Sequence, residues 1–142
     1  MADLDLVRRL GAGDHGLVVV AVARPNGTVS TSVVNAGVLD DPDTGQPAVA
    51  FVSRGDAKRL DYLRKSGQAA VVFRSGWEWA TVEGPARILG RDDRDAGAYA
   101  TLLRDIFKAA GGTHDDWDEY DRVMATEARV AVLVEPKRII SN

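Results

Sequence analysis

Five cations, Arg54, Lys58, Arg59, Arg64 and Lys65, fall within the short segment VSRGDAKRLDYLRKSG, opposed there by only Asp56 and Asp61. The whole chain carries a formal net charge of -3, so this cluster runs against the overall balance. An apolar run precedes it and helical spacing follows, with Leu60 and Leu63 on one edge and Gly67 beyond the end. A helix N-terminus offers free backbone N–H groups and the positive end of the helix dipole, so anions settle there. Cations at that end are unfavourable for the helix itself, and Arg54, Lys58 and Arg59 stand there. Arg64 and Lys65 stand at the other end, where the dipole favours them, and need no function. A solvated face with Asp56 and Asp61 pairing to nearby cations would explain the same charges. A strand, then Ser53 as N-cap with Asp56 three residues on, then a basic helix, favours an anion site with phosphate as its ligand.

Three other groupings could do chemistry. In GWEWATVEG an extended strand would put Trp77, Trp79 and Thr81 on one face. Interface burial is the default reading of such a pair, and a wall for a flat ring is the functional one. The two coincide where a ligand lies between subunits. Ser30 and Ser32, with Asn35 beyond, could hydrogen-bond the edge of a heterocycle, although a plain solvent face is the simpler reading. In THDDWDEYDRVM, Asp115 and Asp116 suit a helix start, and Trp117, Tyr120, Val123 and Met124 recur at helical spacing as a packing stripe. No metal site is expected from them. His15 shows no partner in sequence.

Other chemistries are excluded. The chain has no cysteine, which removes disulfides, thiol nucleophiles and thiolate metal sites. There is no Walker loop and no G-x-S-x-G motif. Gly11, Gly13 and Gly16 match the G-x-G-x-x-G spacing but precede a strand instead of following one, so a dinucleotide fold is rejected. The acidic balance argues against nucleic acid, and no apolar run is long enough for a membrane span. The N-terminal residues lack the order of a signal peptide, so a cytoplasmic location is expected.

The elements that must position these residues follow from periodicity and turns. Asp3 to Leu10 reads as a short amphipathic helix. GLVVVAVAR and TVSTSVVNAGVL read as strands joined by the turn PNGT. AVAFVS precedes the basic helix, and QAAVVFRS follows it. A long strand is expected over WEWATVEGPARILG, beginning at Trp77. Helices are expected from Asp93 to about Ala110 and from His114 to about Glu127, before a final strand ARVAVLVEP that KRIIS extends. With 142 residues, 45% hydrophobic and 27% charged, the chain suits one globular domain spanning residues 1–142. Hairpins dominate, so the expected class is mainly β with flanking helices, an antiparallel closed or split barrel of about six strands.

Taken together, PNGTVSTSVVNAGVL, the basic helix start, GWEWATVEG and the HDDWDEY helix resemble the split-barrel flavin and deazaflavin oxidoreductases. That superfamily includes pyridoxamine 5'-phosphate oxidase, and the chain looks most like its actinobacterial branch that uses the deazaflavin coenzyme F-420. The resemblance implies a six-stranded split barrel that forms a homodimer with cofactor sites between subunits. It implies that Arg54, Lys58 and Arg59 hold the cofactor phosphate, that Ser32 and Asn35 meet the ring, and that Trp77 and Trp79 line the site from the second subunit. The implied chemistry is hydride transfer between coenzyme F-420 and a small organic substrate, with no side chain strictly catalytic. FMN in the same site, or a non-catalytic cofactor carrier, are the alternatives.

Overall fold

The computed structural model describes residues 3–142. Helix α1 (Leu4–Gly13) is capped by Asp3, whose carboxylate accepts the Leu6 N–H. Strands β1 (Leu17–Ala23), β2 (Val29–Asp40) and β3 (Pro47–Ser53) follow, then α2 (Lys58–Ser66), β4 (Gln68–Ser75) and β5 (Glu78–Leu89). Helices α3 (Ala96–Ala109) and α4 (Trp117–Thr126) precede β6 (Val130–Val134) and β7 (Arg138–Ser141).

Six antiparallel strands close on themselves in the order β4-β1-β2-β3-β6-β5, with β5 pairing back to β4. Two long strands make the closure possible by changing partners along their length. Residues Val29–Asn35 of β2 pair with β1, and Ala36–Asp40 pair with β3. Residues Glu78–Pro85 of β5 pair with β4, and Ala86–Leu89 pair with β6. Pro85, which has no N–H to give to a ladder, stands at that changeover. Strand β7 continues β6 along the outer edge of β5, pairing with Ala80–Glu83. This is the split barrel that the resemblance implies.

The barrel interior holds Val18, Val20, Val22, Phe51, Val71, Phe73, Val82 and Val132, with Leu10 of α1 and Leu60 and Leu63 of α2 packed into it. Alternation along β1, with Val18, Val20 and Val22 buried and Leu17 and Val19 exposed, expresses a strand with one face in the core. Helix α3 packs on the outside of β2, β3 and β6 and carries α4 against its side, and Ala50, Leu103, Ile106, Tyr120 and Leu133 form a second core there. The outer face of the β1–β2 hairpin has no such layer. Val29 and Val33 are 58% and 63% exposed there, beside Leu17 and Val19.

Several element boundaries depart from the sequence reading. Ser53 does not cap α2. It is the buried last residue of β3, and the helix starts at Lys58 after Ala57, which makes no side-chain cap hydrogen bond. Asp56 pairs with Arg54 at 3.2 Å instead of completing a capping box. Trp77 is not on β5. Gly76 and Trp77 form the two-residue corner between β4 and β5, with Ser75 opposite Glu78, so Trp77 stands 95% exposed at a hairpin tip. Helices α3 and α4 each begin a few residues late, at the caps Asp95 and Asp116. No helix is long and apolar enough to cross a membrane among the described residues.

Candidate functional site

Where β2 changes partners, the helical layer ends and the bare sheet face begins, and a cavity of about 380 Å³ opens at this border. Arg54, Arg59 and Arg129 line its polar end, and Ile106, Phe107 and Met124 are among its apolar walls. Ala57 lines it too, so the N-terminal end of α2, free of a capping side chain, borders the cavity.

Arg59 is the best placed of these cations. Its Nε donates to Ser32 Oγ at 3.1 Å, and its Nη1 donates to Ser53 Oγ at 3.0 Å. Among the described residues no carboxylate pairs with it. Burial alone pulls its pKa below the usual arginine value. A half-buried guanidinium held by two neutral hydroxyls keeps its charge uncompensated, and it is pre-aimed for an anion that binds bidentately. The Ser32 hydroxyl is therefore not on a plain solvent face. It turns inward on β2 to orient Arg59.

Lys58 and Arg59 divide cleanly. Lys58 is exposed and does not line the cavity, whereas Arg59 does. Arg54 also lines it while paired to Asp56. Arg64 pairs with Asp61 at 3.4 Å in the last turn, as a helix-stabilising contact.

Arg129 escaped sequence reasoning. It follows α4 and enters β6, far from the basic segment in the chain. The loops meet because Gly55 packs against Ala128, and a Cβ at Gly55 would collide with the Ala128 carbonyl oxygen. Arg129 pairs with Glu127, and the Tyr99 hydroxyl donates to its carbonyl. Three arginines thus converge on one end of the cavity. The only sequence signal for Arg129 is a lone cation beside a strand, which is uninformative by itself.

Asn35 lines the same cavity from the opposite face of β2 to Ser32, and its Nδ2 donates to the His15 carbonyl at 2.9 Å. Its Oδ1 and the second Nδ2 hydrogen are left without a partner among the described residues. Tyr120 lines the cavity as well, but its hydroxyl donates to the Leu103 carbonyl at 3.1 Å, and burial pushes its pKa up to about 12. It stays protonated near neutrality, with its O–H engaged by that carbonyl.

Neither Trp77 nor Trp79 lines this cavity within one chain. Trp79 lies on the outer sheet face, opposite Arg74 of β4, and its backbone N–H donates to Asn142 Oδ1. Of the two aspartates expected to start the last helix, Asp116 does so. Asp116 caps α4 by accepting from the Glu119 N–H, and His114 Nδ1 accepts from the Asp116 N–H. Trp117, Tyr120 and Met124 pack, whereas Val123 is exposed. No group of three or more metal-ligating side chains occurs among the described residues.

No family model matches the sequence. Solved structures share the fold. The chain is similar to a conserved hypothetical protein of Mycobacterium tuberculosis, with a TM-score of 0.72, 14% identity, and coverage of 99% of this chain and 84% of that one. It is also similar to a pyridoxamine 5'-phosphate oxidase-related, FMN-binding protein of Nostoc punctiforme, at TM-score 0.67 and 12% identity, covering 96% and 79%. A third likeness is to an F420 reductase, at TM-score 0.61 and 14% identity, covering 90% and 91%. At these identities the likeness is one of fold.

Proposed function

We propose that the chain is an oxidoreductase that binds coenzyme F-420 in the cavity beside β2 and exchanges a hydride between it and a small organic substrate. The observation that supports this most is Arg59, half-buried, without a carboxylate partner, and held by Ser32 and Ser53 at the polar end of an otherwise apolar cavity. These residues fit a phosphate-bearing flat ring system. When bound, the cofactor supplies the hydride. Arg59, with Arg54 and Arg129, holds the anionic group. Ser32 and Ser53 keep the guanidinium in place before the ligand arrives, which lowers the cost of ordering on binding. Ile106, Phe107 and Val52 exclude water from the ring's surroundings. Asn35 offers Oδ1 to a ring-edge N–H.

The proposal includes a second copy of the chain. The bare outer face with Leu17, Val19, Val29 and Val33 is contiguous with the cavity through Val33, so a copy seated there would complete the cavity wall. It would bring its own Trp77 and Trp79 toward the neighbouring site. Val33→Lys is then expected to give a monomer by analytical ultracentrifugation and to weaken cofactor binding. A monomeric wild type would remove this part.

FMN in the same cavity is the second reading, favoured by the FMN-binding neighbour. Titration of the protein with each cofactor, followed by fluorescence quenching, separates the two. Saturable binding of neither one overturns the proposal. Binding without oxidation of the reduced cofactor across a panel of quinones and enones would make the chain a carrier.

A further inference from the structure

A second cavity of about 430 Å³ lies on the other side of the β2 changeover, between α1, β2 and the end of α3. Val7, Val38 and Phe73 give it an apolar side, and the rest of its wall is small. Gly11, Ala12, Gly16, Ala36, Gly37 and Ala109 contribute little beyond backbone. Two of these glycines are required by packing, since a Cβ at Gly16 or Gly37 would collide with the α3 backbone at Ala110 or Ala109. The two ionisable side chains on the wall are Arg8 and His15, and both are basic. Arg8 reaches Asp5 at 3.1 Å with both groups largely exposed, a contact of little worth that leaves the guanidinium available. The His15 imidazole has no hydrogen-bond partner among the described residues.

The backbone at His15 is unusual. Its φ is 57°, in the left-handed region that a side chain such as histidine adopts at a cost. That conformation is held from both sides. The Gly16 N–H donates to the Gly11 carbonyl at 2.8 Å, and the His15 carbonyl accepts from Asn35 Nδ2. Asn35 belongs to the wall of the first cavity, and Ala110 lines both. The two cavities are thus neighbours that share a residue and are linked by one side-chain hydrogen bond.

We propose that this second cavity binds a small carboxylate-bearing molecule, its carboxylate met by Arg8 and His15. The slim walls leave room for a flat carbon skeleton, and the two basic groups suit one anionic end. Because the site adjoins the first cavity at Ala110 and through the Asn35–His15 hydrogen bond, it is the subsite of the organic substrate. That last role rests on the function proposed above, whereas the binding itself does not.

Benzoate serves as the probe, and the imidazole proton resonances serve as the readout. The chain has two histidines, His15 and His114, and His15→Asn assigns their signals while keeping a residue that tolerates positive φ. The expected result is a saturable benzoate-dependent shift at His15 and none at His114. Arg8→Ala should weaken it about tenfold, the loss of one charge-assisted hydrogen bond. Arg59→Ala should leave it unchanged, and saturating FMN should not displace benzoate. Absence of a saturable shift at His15, equal affinity in Arg8→Ala, or competitive displacement by FMN would each overturn the proposal. Should benzoate bind as described while neither FMN nor coenzyme F-420 binds, the second site stands and the proposed function falls.

Discussion

Arg59 and Arg87 are both drawn against the barrel wall, and they keep different company. Arg87, on β5, donates from Nη1 to Asp41 at 2.8 Å and from Nη2 to Asp43 at 2.8 Å, and Arg94 reaches Asp43 from the approach to α3. This network ties the β2–β3 turn to β5. Arg59 meets two hydroxyls and no carboxylate. One arginine has its charge answered within the fold, and the other has it left open at a cavity. The number of cations in a segment therefore says less about binding than the count of acids within their reach.

The sharpest way to break the comparison is Arg87→Ala. Asp41, with a side chain only 8% exposed, would lose its cation, and a loss of about 2 kcal/mol is expected in urea unfolding. Cofactor binding should not change. The opposite pattern is expected of Arg59→Ala. Binding of FMN or coenzyme F-420 should fall at least about tenfold, while stability stays within about 1 kcal/mol because no carboxylate is orphaned. Equal stability losses in the two variants would erase the distinction.

A pH series sharpens it further. Burial pushes the Asp41 pKa up, but the Arg87 hydrogen bond and charge together with backbone N–H donors outweigh it, and the net value lies below the usual one. A depressed carboxylate stabilises the fold above its unfolded pKa, about 4, and that stability is lost as pH falls through the lower folded value. The gap between wild type and Arg87→Ala should thus be widest above about pH 5 and should narrow on acidification. The smallest effect belongs to Lys58→Ala. Exposed and away from the cavity, it should change cofactor affinity less than about threefold through long-range charge alone. A larger effect than Arg59→Ala would reverse the assignment of the two neighbours.

Much of the scaffold was legible because it rests on local pattern. Valine alternation in β1, the PNGT turn and the helix-starting aspartates all carry their structure in a few adjacent residues. The errors came where a local signal was ambiguous or a contact was remote. SRGD looked like the first turn of a helix, yet Gly55 is needed there to pass Ala128, so the chain stays irregular until Ala57. Gly76, with φ at 62°, is the turn signal that removes Trp77 from the strand, whereas the sequence reading starts the strand at Trp77. At the site, Arg54 and Arg59 were visible in the basic segment, but the choice of Arg59 over Lys58 needed the true start of α2. Arg129 was invisible, because nothing near it in the chain points to a loop more than one helix away.

Strand β6 is buried throughout and pairs with β3 on one side and β5 on the other. Both neighbours come from earlier, separate parts of the chain. Until β6 docks, β3 and β5 each present an open edge, and the ring of hydrogen bonds has a gap. Closure therefore depends on contacts of long sequence separation, which makes for slow, late-committing folding on the scale of milliseconds to seconds. In that interval the exposed edges are the places where one chain could pair with another. Amide exchange during refolding should accordingly protect the β1–β2 hairpin before β6.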